Sequence, residues 1–141
     1  MTLVVDANAL YAQADVDQSG HRAVVQVLRS AREALVTTEL VVAEADYLIL
    51  DRLGVEAELA FLEDLAEGTF LVECLSRDEV RTARDVVRQY RDLRLGFSDA
   101  SLVVLAGRHH TKRILTLDER AFRTVAPLSG GRFTILPADD A

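Results

Sequence analysis

Two periodicities alternate along the chain. Short continuous apolar runs bounded by polar or turn-forming residues read as buried strands, and longer segments with apolar positions three and four apart read as amphipathic helices. Leu3-Val4-Val5 marks a strand over 2–5, and 7–14 reads as a short helix for which Asp6 or Asn8 is the N-cap. After a polar connection at 15–20, Val24, Val25, Val27, Leu28 and Ala31 give the helix over 21–32 its apolar side. Leu35-Val36-Thr37 is a second strand. Thr38 can cap a helix over 39–53 that Gly54 ends, and a further helix over 55–66 closes at Gly68.

A third strand is expected over 69–75, and Ser76 then caps a long helix reaching about residue 94, with Val80, Ala83, Val87 and Tyr90 facing the core. Gly96 breaks that pattern, and Ser98 is placed to cap a helix over 99–109. Ile114-Leu115-Thr116 is a fourth strand, 119–123 a short helix, 129–131 a turn, and Phe133-Thr134-Ile135 a last strand. Strands that alternate with helices predict an α/β protein of three layers, with a central, mainly parallel sheet of four to five short strands. In such a sheet the carboxyl ends of the strands gather along one edge, with right-handed crossovers between them.

Composition narrows this little but usefully. A chain of 141 residues with half its residues hydrophobic fits a single domain, 1–141, with a substantial core. No apolar run approaches the roughly 18 residues of a membrane span, and nothing near the start reads as a signal peptide, so a cytoplasmic protein is expected. The one cysteine, Cys74, sits in an apolar run and reads as a buried, inert thiol. The net charge of −7 weighs against a polyanionic partner, but the charge is unevenly spread. Residues 1–70 carry 13 acids against 4 arginines, whereas 77–132 carry 12 bases against 7 acids. That asymmetry favours a polyanion at the second half.

Four carboxylates stand out against this background. Asp6 directly follows the first strand, where α/β proteins bind ligands, although an aspartate there is also a good helix cap. Glu44 lies at helical spacing from Leu40, Tyr47 and Leu48, which places it in or beside an apolar stripe, a costly position for an unpartnered charge. Asp99 opens a helix, where it complements the helix dipole, and Asp118 follows the fourth strand, where it can cap the next helix. Each has an ordinary structural explanation. A parallel sheet, however, can bring all four to one edge, and like charges held close repel unless a cation is bound. Hard oxygen ligands suit Mg²⁺ or Mn²⁺, and the adjacent His109 and His110 do not suit zinc and read as cations beside a helix C-terminus.

Val5-Asp6-Ala7-Asn8-Ala9-Leu10, Val41-Val42-Ala43-Glu44, Phe97-Ser98-Asp99-Ala100 and Ile114-Leu115-Thr116-Leu117-Asp118 together resemble the PIN domain in order and spacing. The length and the Gly130-Gly131 turn are similar to VapC-type toxins of prokaryotic toxin–antitoxin pairs. The resemblance implies a Mg²⁺-dependent ribonuclease of structured RNA such as tRNA or rRNA, usually dimeric and inhibited by a cognate VapB-type antitoxin that occludes the acidic pocket. By position, Asp6 and Asp99 would be the principal metal ligands and Glu44 and Asp118 would complete the acidic set, with Asn8 and Thr116 as polar neighbours.

Arg77, Arg81, Arg84, Arg88 and Arg91 share one helical face and, with Arg108, Lys112 and Arg113, are candidates for tracking RNA phosphates. The competing reading is a solvated face laced by Asp78, Asp85 and Asp92. Three rival functions remain. An aspartyl-nucleophile phosphatase usually wants an acid where this chain has Asn8, and a response-regulator-like module wants a lysine after a late strand, whereas Lys112 precedes Ile114. The third is a metal-binding interaction domain without turnover.

Overall fold

The apolar tetrad at the start of the chain, Thr2–Val5, becomes the central strand (β1) of a five-stranded, all-parallel sheet in the computed structural model, which describes residues 1–139. The others are β2 (Ala34–Thr38), β3 (Leu71–Glu73), β4 (Arg113–Leu115) and β5 (Thr134–Leu136), in the spatial order β3-β2-β1-β4-β5. Leu3, Val4 and Val5 are fully buried, as the middle strand of a sheet covered on both faces requires. The chain winds outward from β1 through β2 to β3 and then crosses back to place β4 on the other side of β1. The strand order therefore reverses between β1 and β4, and ligands in open α/β sheets bind at the carboxyl ends of strands at such a reversal.

The described residues also form seven helices: α1 (Ala7–Ala14), α2 (His21–Ser30), α3 (Glu39–Leu53), α4 (Val55–Ala66), α5 (Arg77–Gln89), α6 (Phe97–Arg108) and α7 (Glu119–Thr124). The three-layer α/β expectation holds. Thr38 caps α3 by accepting from the Val41 amide at 3.3 Å, and Gly54 ends it at φ +95°, a conformation that suits glycine. From Ala100 to Ala106 every residue of α6 is buried, Ser101 with its hydroxyl 2.9 Å from that of Thr38, so this stretch packs as an interior element. The helix touches β1 and β2. Phe122 and Phe133 close the β4–β5 side of the core edge-to-face, with centroids 5.8 Å apart. No helix in the described chain is long and apolar enough to cross a membrane.

Several local expectations are corrected. α2 ends at Ser30, not 32, and β3 is confined to Leu71–Glu73. Its position at the sheet edge leaves Leu71 and Val72 exposed and carries Cys74 to the surface, so that thiol is not buried. The long helix after Ser76 stops at Gln89 and is followed by a 3₁₀ turn at Arg91–Leu93. Ala83 and Val86 are its buried residues, whereas Val80 is exposed. Ser98 is not a cap: α6 begins at Phe97 behind Gly96, which releases the Ser98 hydroxyl for another partner.

Candidate active site

Asp6 is the first residue beyond β1, and its amide still continues the sheet by donating to Leu115 O at 3.0 Å. The side chain is almost fully buried, at 3% exposure. Its Oδ1 accepts from the Ala7 amide at 2.7 Å, so Asp6 does cap α1. Its Oδ2 accepts from the Thr116 hydroxyl at 2.7 Å and from Asn8 Nδ2 at 3.3 Å. Thr116 follows β4, the strand paired with β1 through Val4–Ile114 and Val5–Leu115. With its proton given to Asp6, its oxygen accepts from Asn8 Nδ2 at 3.1 Å and from the Asp118 amide at 3.0 Å. Asn8 Oδ1 accepts from the Leu117 amide at 2.8 Å. Asn8 and Thr116 thus lock the loops after β1 and β4 to each other and fix the Asp6 carboxylate between them.

The other three acids lie in its neighbourhood, on α3, on α6 and in the loop after β4: Asp99 and Glu44 act electrostatically on Asp6, and Glu44 and Asp118 on Asp99. Asp99 lies in the first turn of α6, half-buried, and Asp118 caps α7 by accepting from the Ala121 amide at 3.2 Å. Glu44 corrects an expectation. The buried stripe of α3 is Val41, Ala45 and Ile49, so Glu44 is exposed, as is Tyr47 at 67%. What brings Glu44 to the site is the Ser98 hydroxyl, which donates to its Oε2 at 2.6 Å across the gap between α3 and α6.

The acids influence one another. Burial, then the charge of Asp99, pushes Asp6 up to about 7; the Thr116 and Ala7 hydrogen bonds oppose this and Glu44 adds to it. Burial, then Glu44 and Asp118, pushes Asp99 up to about 6. Carboxylates held against their own repulsion in a partly dry site are a preformed demand for a cation. Among the described residues no three His, Cys, Asp or Glu side chains close around a single point. The donors present are carboxylate oxygens, which suit Mg²⁺ or Mn²⁺; these ions commonly take one or two carboxylates and complete their shell with waters and phosphate oxygens. This donor set does not fit a closed structural zinc site. Asp99 and Asp118 also line a cavity of about 170 Å³ together with Leu93, Arg94, Leu95, Arg120 and Ala121.

Comparison with known proteins places the chain in a family. The PIN domain family model matches residues 3–127. Over 135 residues the chain is 44% identical to Ribonuclease VapC26 of Mycobacterium tuberculosis, an alignment covering 96% of this chain and all of that protein. The chain is a VapC-type member of the PIN domain family. Solved structures agree on the fold. M. tuberculosis VapC20, described as a Sarcin-Ricin loop cleaving toxin, superimposes with a TM-score of 0.78 at 18% identity, covering 84% of this chain and 91% of that one. VapBC2 from Rickettsia felis, solved bound to a DNA fragment from its promoter, gives 0.69 at 12% identity, covering 96% and 98%.

The basic candidates of this VapC-type chain fare differently from the acids. Every guanidinium nitrogen of Arg108 is engaged inside the protein: Nη1 with Glu73 at 2.5 Å, Nε and Nη2 with Glu79 at 2.9 and 2.5 Å, and Nη2 with Cys74 O at 2.7 Å. His109 also bonds Glu73, at 2.9 Å. Arg113 pairs with Glu33 at 2.7 Å. Arg81, Arg84 and Arg88 pair with Asp78 or Asp85 along the exposed face of α5, as a solvated face does, while Arg77 and Lys112 are exposed. Sequence reasoning missed Ser98 as the partner of Glu44, and it missed Arg94 and Arg120 at the acid-lined cavity. Their proximity in sequence to Asp99 and Asp118 was the available signal.

Proposed function

We propose that this protein is an endoribonuclease, the toxin of a toxin–antitoxin pair, that hydrolyses structured RNA such as tRNA or rRNA using Mg²⁺ or Mn²⁺. Asp6 and Asp99 are the principal metal ligands, and Glu44 and Asp118 complete the set. The observation that carries this reading is Asp6 itself, a buried carboxylate at the reversal of the strand order, held by Thr116 and Asn8 and raised to about 7 by burial and by its acidic neighbours. The 44% identity to a protein named as a ribonuclease supports the activity. Toxin–antitoxin complexes among the structural neighbours support a VapB-type protein partner, and a homodimer is the proposed assembly.

A bound divalent cation supplies a more acidic water and charge neutralisation at the phosphate. The chain's own groups do the placing. Thr116 and Asn8 fix the rotamer of Asp6, the buried stretch of α6 that begins at Ala100 anchors the backbone of Asp99, and Ser98 steadies the exposed Glu44. Glu44 or Asp118 orients the attacking water. Its oxygen bonds to phosphorus, the P–O3′ bond breaks and the departing O3′ takes up a proton, leaving 5′-phosphate and 3′-hydroxyl ends.

Purified protein incubated with total RNA tests this. Cleavage that needs Mg²⁺, stops in EDTA, yields 5′-phosphates on end mapping and disappears in Asp6→Asn and Asp99→Asn is the expected result. Cyclic 2′,3′-phosphate products that persist in EDTA would overturn the scheme. RNA left intact by a metal-loaded, folded protein would favour an interaction module instead.

A further inference from the structure

The cavity beside the acids contains two cations as well as two anions. Arg94 precedes α6 and Arg120 lies in the first turn of α7, and both line the cavity with Asp99 and Asp118. Neither guanidinium forms an ion pair among the described residues, although two carboxylates share the cavity walls with them. The two signs of charge therefore line one cavity of about 170 Å³ without pairing across it.

A second observation singles out Arg94. Its backbone is left-handed, at φ 53°, ψ 47°, at the end of the 3₁₀ turn. Turn ends of this kind favour glycine or asparagine, and an arginine there bears a steric cost. His110 has a similar φ at the end of α6, but histidine tolerates that region better and lines a different cavity with Pro127 and Leu128. Backbone strain in a non-glycine residue persists where surrounding structure enforces it, and such residues cluster at functional sites.

We propose that Arg94 and Arg120 form a guanidinium clamp for a backbone phosphate of the RNA at the point of cleavage. The planar fork of arginine binds phosphate oxygens in pairs, which fixes orientation as well as adding affinity. The carboxylates hold the cation on one side of the cavity, and the two arginines hold the anion on the other. The bases are not read here, so the clamp binds RNA of any sequence and positions the chain along the cavity. This inference rests on the hydrolytic reading above.

The test uses the full chain carrying Asp6→Asn, which blocks cleavage, and a short, unstructured, fluorescently labelled RNA as probe in Mg²⁺ buffer. Arg94→Gly and Arg120→Ala are each expected to weaken RNA binding by roughly 10- to 100-fold. Each is also expected to flatten the dependence of log affinity on log salt by about 0.7. Arg94→Gly melts at or above the parent temperature, because glycine removes the left-handed strain. Arg94→Lys recovers the salt slope and only part of the affinity, since it keeps the charge and loses the fork. Arg22→Ala, on the exposed face of α2, leaves both readouts unchanged. Folded Arg94→Gly and Arg120→Ala proteins that bind with parental affinity and slope would overturn the clamp. Wild-type cleavage that ignores EDTA would overturn the metal reading and leave this binding test standing.

Discussion

The Thr116 hydroxyl donates to Asp6 Oδ2 at 2.7 Å, joining the end of β4 to the end of β1 where the strand order of the sheet reverses. Through the same oxygen Thr116 accepts from Asn8 and from the Asp118 amide. One buried hydroxyl therefore ties both loops of the site to its most buried acid. Thr116→Val keeps the shape and removes this hub. It is expected to cost ~1–3 kcal/mol of stability, because Asn8 and the Asp118 amide lose a buried partner. Mg²⁺ affinity is expected to fall roughly 10- to 100-fold, as for other losses of a hydrogen bond behind a metal ligand. Calorimetric Mg²⁺ titration and thermal melting read both. Parental Mg²⁺ affinity in a folded Thr116→Val protein would mean that Asp6 needs no such support.

Asp6 and Asp99 also make the metal-free protein sensitive to pH. Both start from an ordinary value of 3.8 and stand in the folded chain at about 7 and about 6. Between these limits the native state binds more protons than the unfolded state. Their contribution to stability is therefore full below about pH 4 and declines as pH rises through 6 and 7. Mg²⁺ held by these carboxylates, as proposed, would reverse the sign of the problem, since it would bind the ionised forms and release protons. The rise in melting temperature caused by Mg²⁺ is expected to be small at pH 5 and larger at pH 8, with proton release visible in the buffer dependence of the binding enthalpy near neutrality. A rise that is the same at both pH values would show that these carboxylates are not where the ion binds.

Glu44 depends on Ser98, which donates to it at 2.6 Å. Because Glu44 is exposed and Ser98 only partly buried, Ser98→Ala is expected to change stability by less than about 1 kcal/mol. Cleavage falls several-fold through kcat, while the protein melts almost as before, since a loosened Glu44 no longer meets the site in one orientation. Ser98→Thr, which keeps the hydroxyl, restores the rate. Steady-state kinetics on a defined RNA would decide, and an unchanged kcat in Ser98→Ala would mean that Glu44 is not held by this bond during turnover.

The same residue marks the boundary of what sequence could reveal. Asp6, Asp99 and Asp118 were legible because strand ends and helix starts are local features that carry their own signals. Glu44 is not on the buried side of its helix, contrary to what its spacing suggests. Leu40, Tyr47 and Leu48 suggested an apolar stripe, but α3 buries the neighbouring line of Val41, Ala45 and Ile49. A helix with apolar residues on more than one side does not announce which side is covered. Edge position was equally hidden. Nothing local to Leu71-Val72 shows that β3 ends the sheet, so Cys74 was expected inside. The reversal between β1 and β4, and the contact of Ser98 with Glu44 across 54 positions of sequence, exist only once the strands are ordered.

Arg108 serves the fold. Its guanidinium joins Glu73, the last residue of the edge strand β3, to Glu79 on α5, and its hydrogen bond to Glu79 is the foremost cause that holds that carboxyl down at about 2 against an ordinary 4.5. Arg108→Ala strands two partly buried carboxylates and is expected to destabilise by ~1–3 kcal/mol at pH 7. The sign is opposite to that of Asp6. A lowered carboxyl contributes above its unfolded value and loses that contribution as pH falls through its folded one. The gap in melting temperature between wild type and Arg108→Ala should therefore be widest near neutrality and narrow below pH 4.5 toward 2. A gap that widens in acid would rule out the Glu79 pairing as its source.

Asp118 combines two roles that one pair of substitutions separates. Its carboxylate caps α7 through the Ala121 amide at 3.2 Å, and its charge acts on Asp99. Asparagine caps helices about as well as aspartate, because only an acceptor oxygen is needed, whereas alanine cannot cap at all. Asp118→Asn is thus expected to leave the melting temperature close to wild type and Asp118→Ala to cost ~1 kcal/mol. Losing the charge also relieves Asp99, so its pKa falls in both variants, which NMR titration of the metal-free protein would follow. If the charge serves the metal or orients the water, both substitutions reduce RNA cleavage to a similar extent despite their different stabilities. Full cleavage by Asp118→Asn would leave capping as the role of this carboxylate and reduce the working set to Asp6, Glu44 and Asp99.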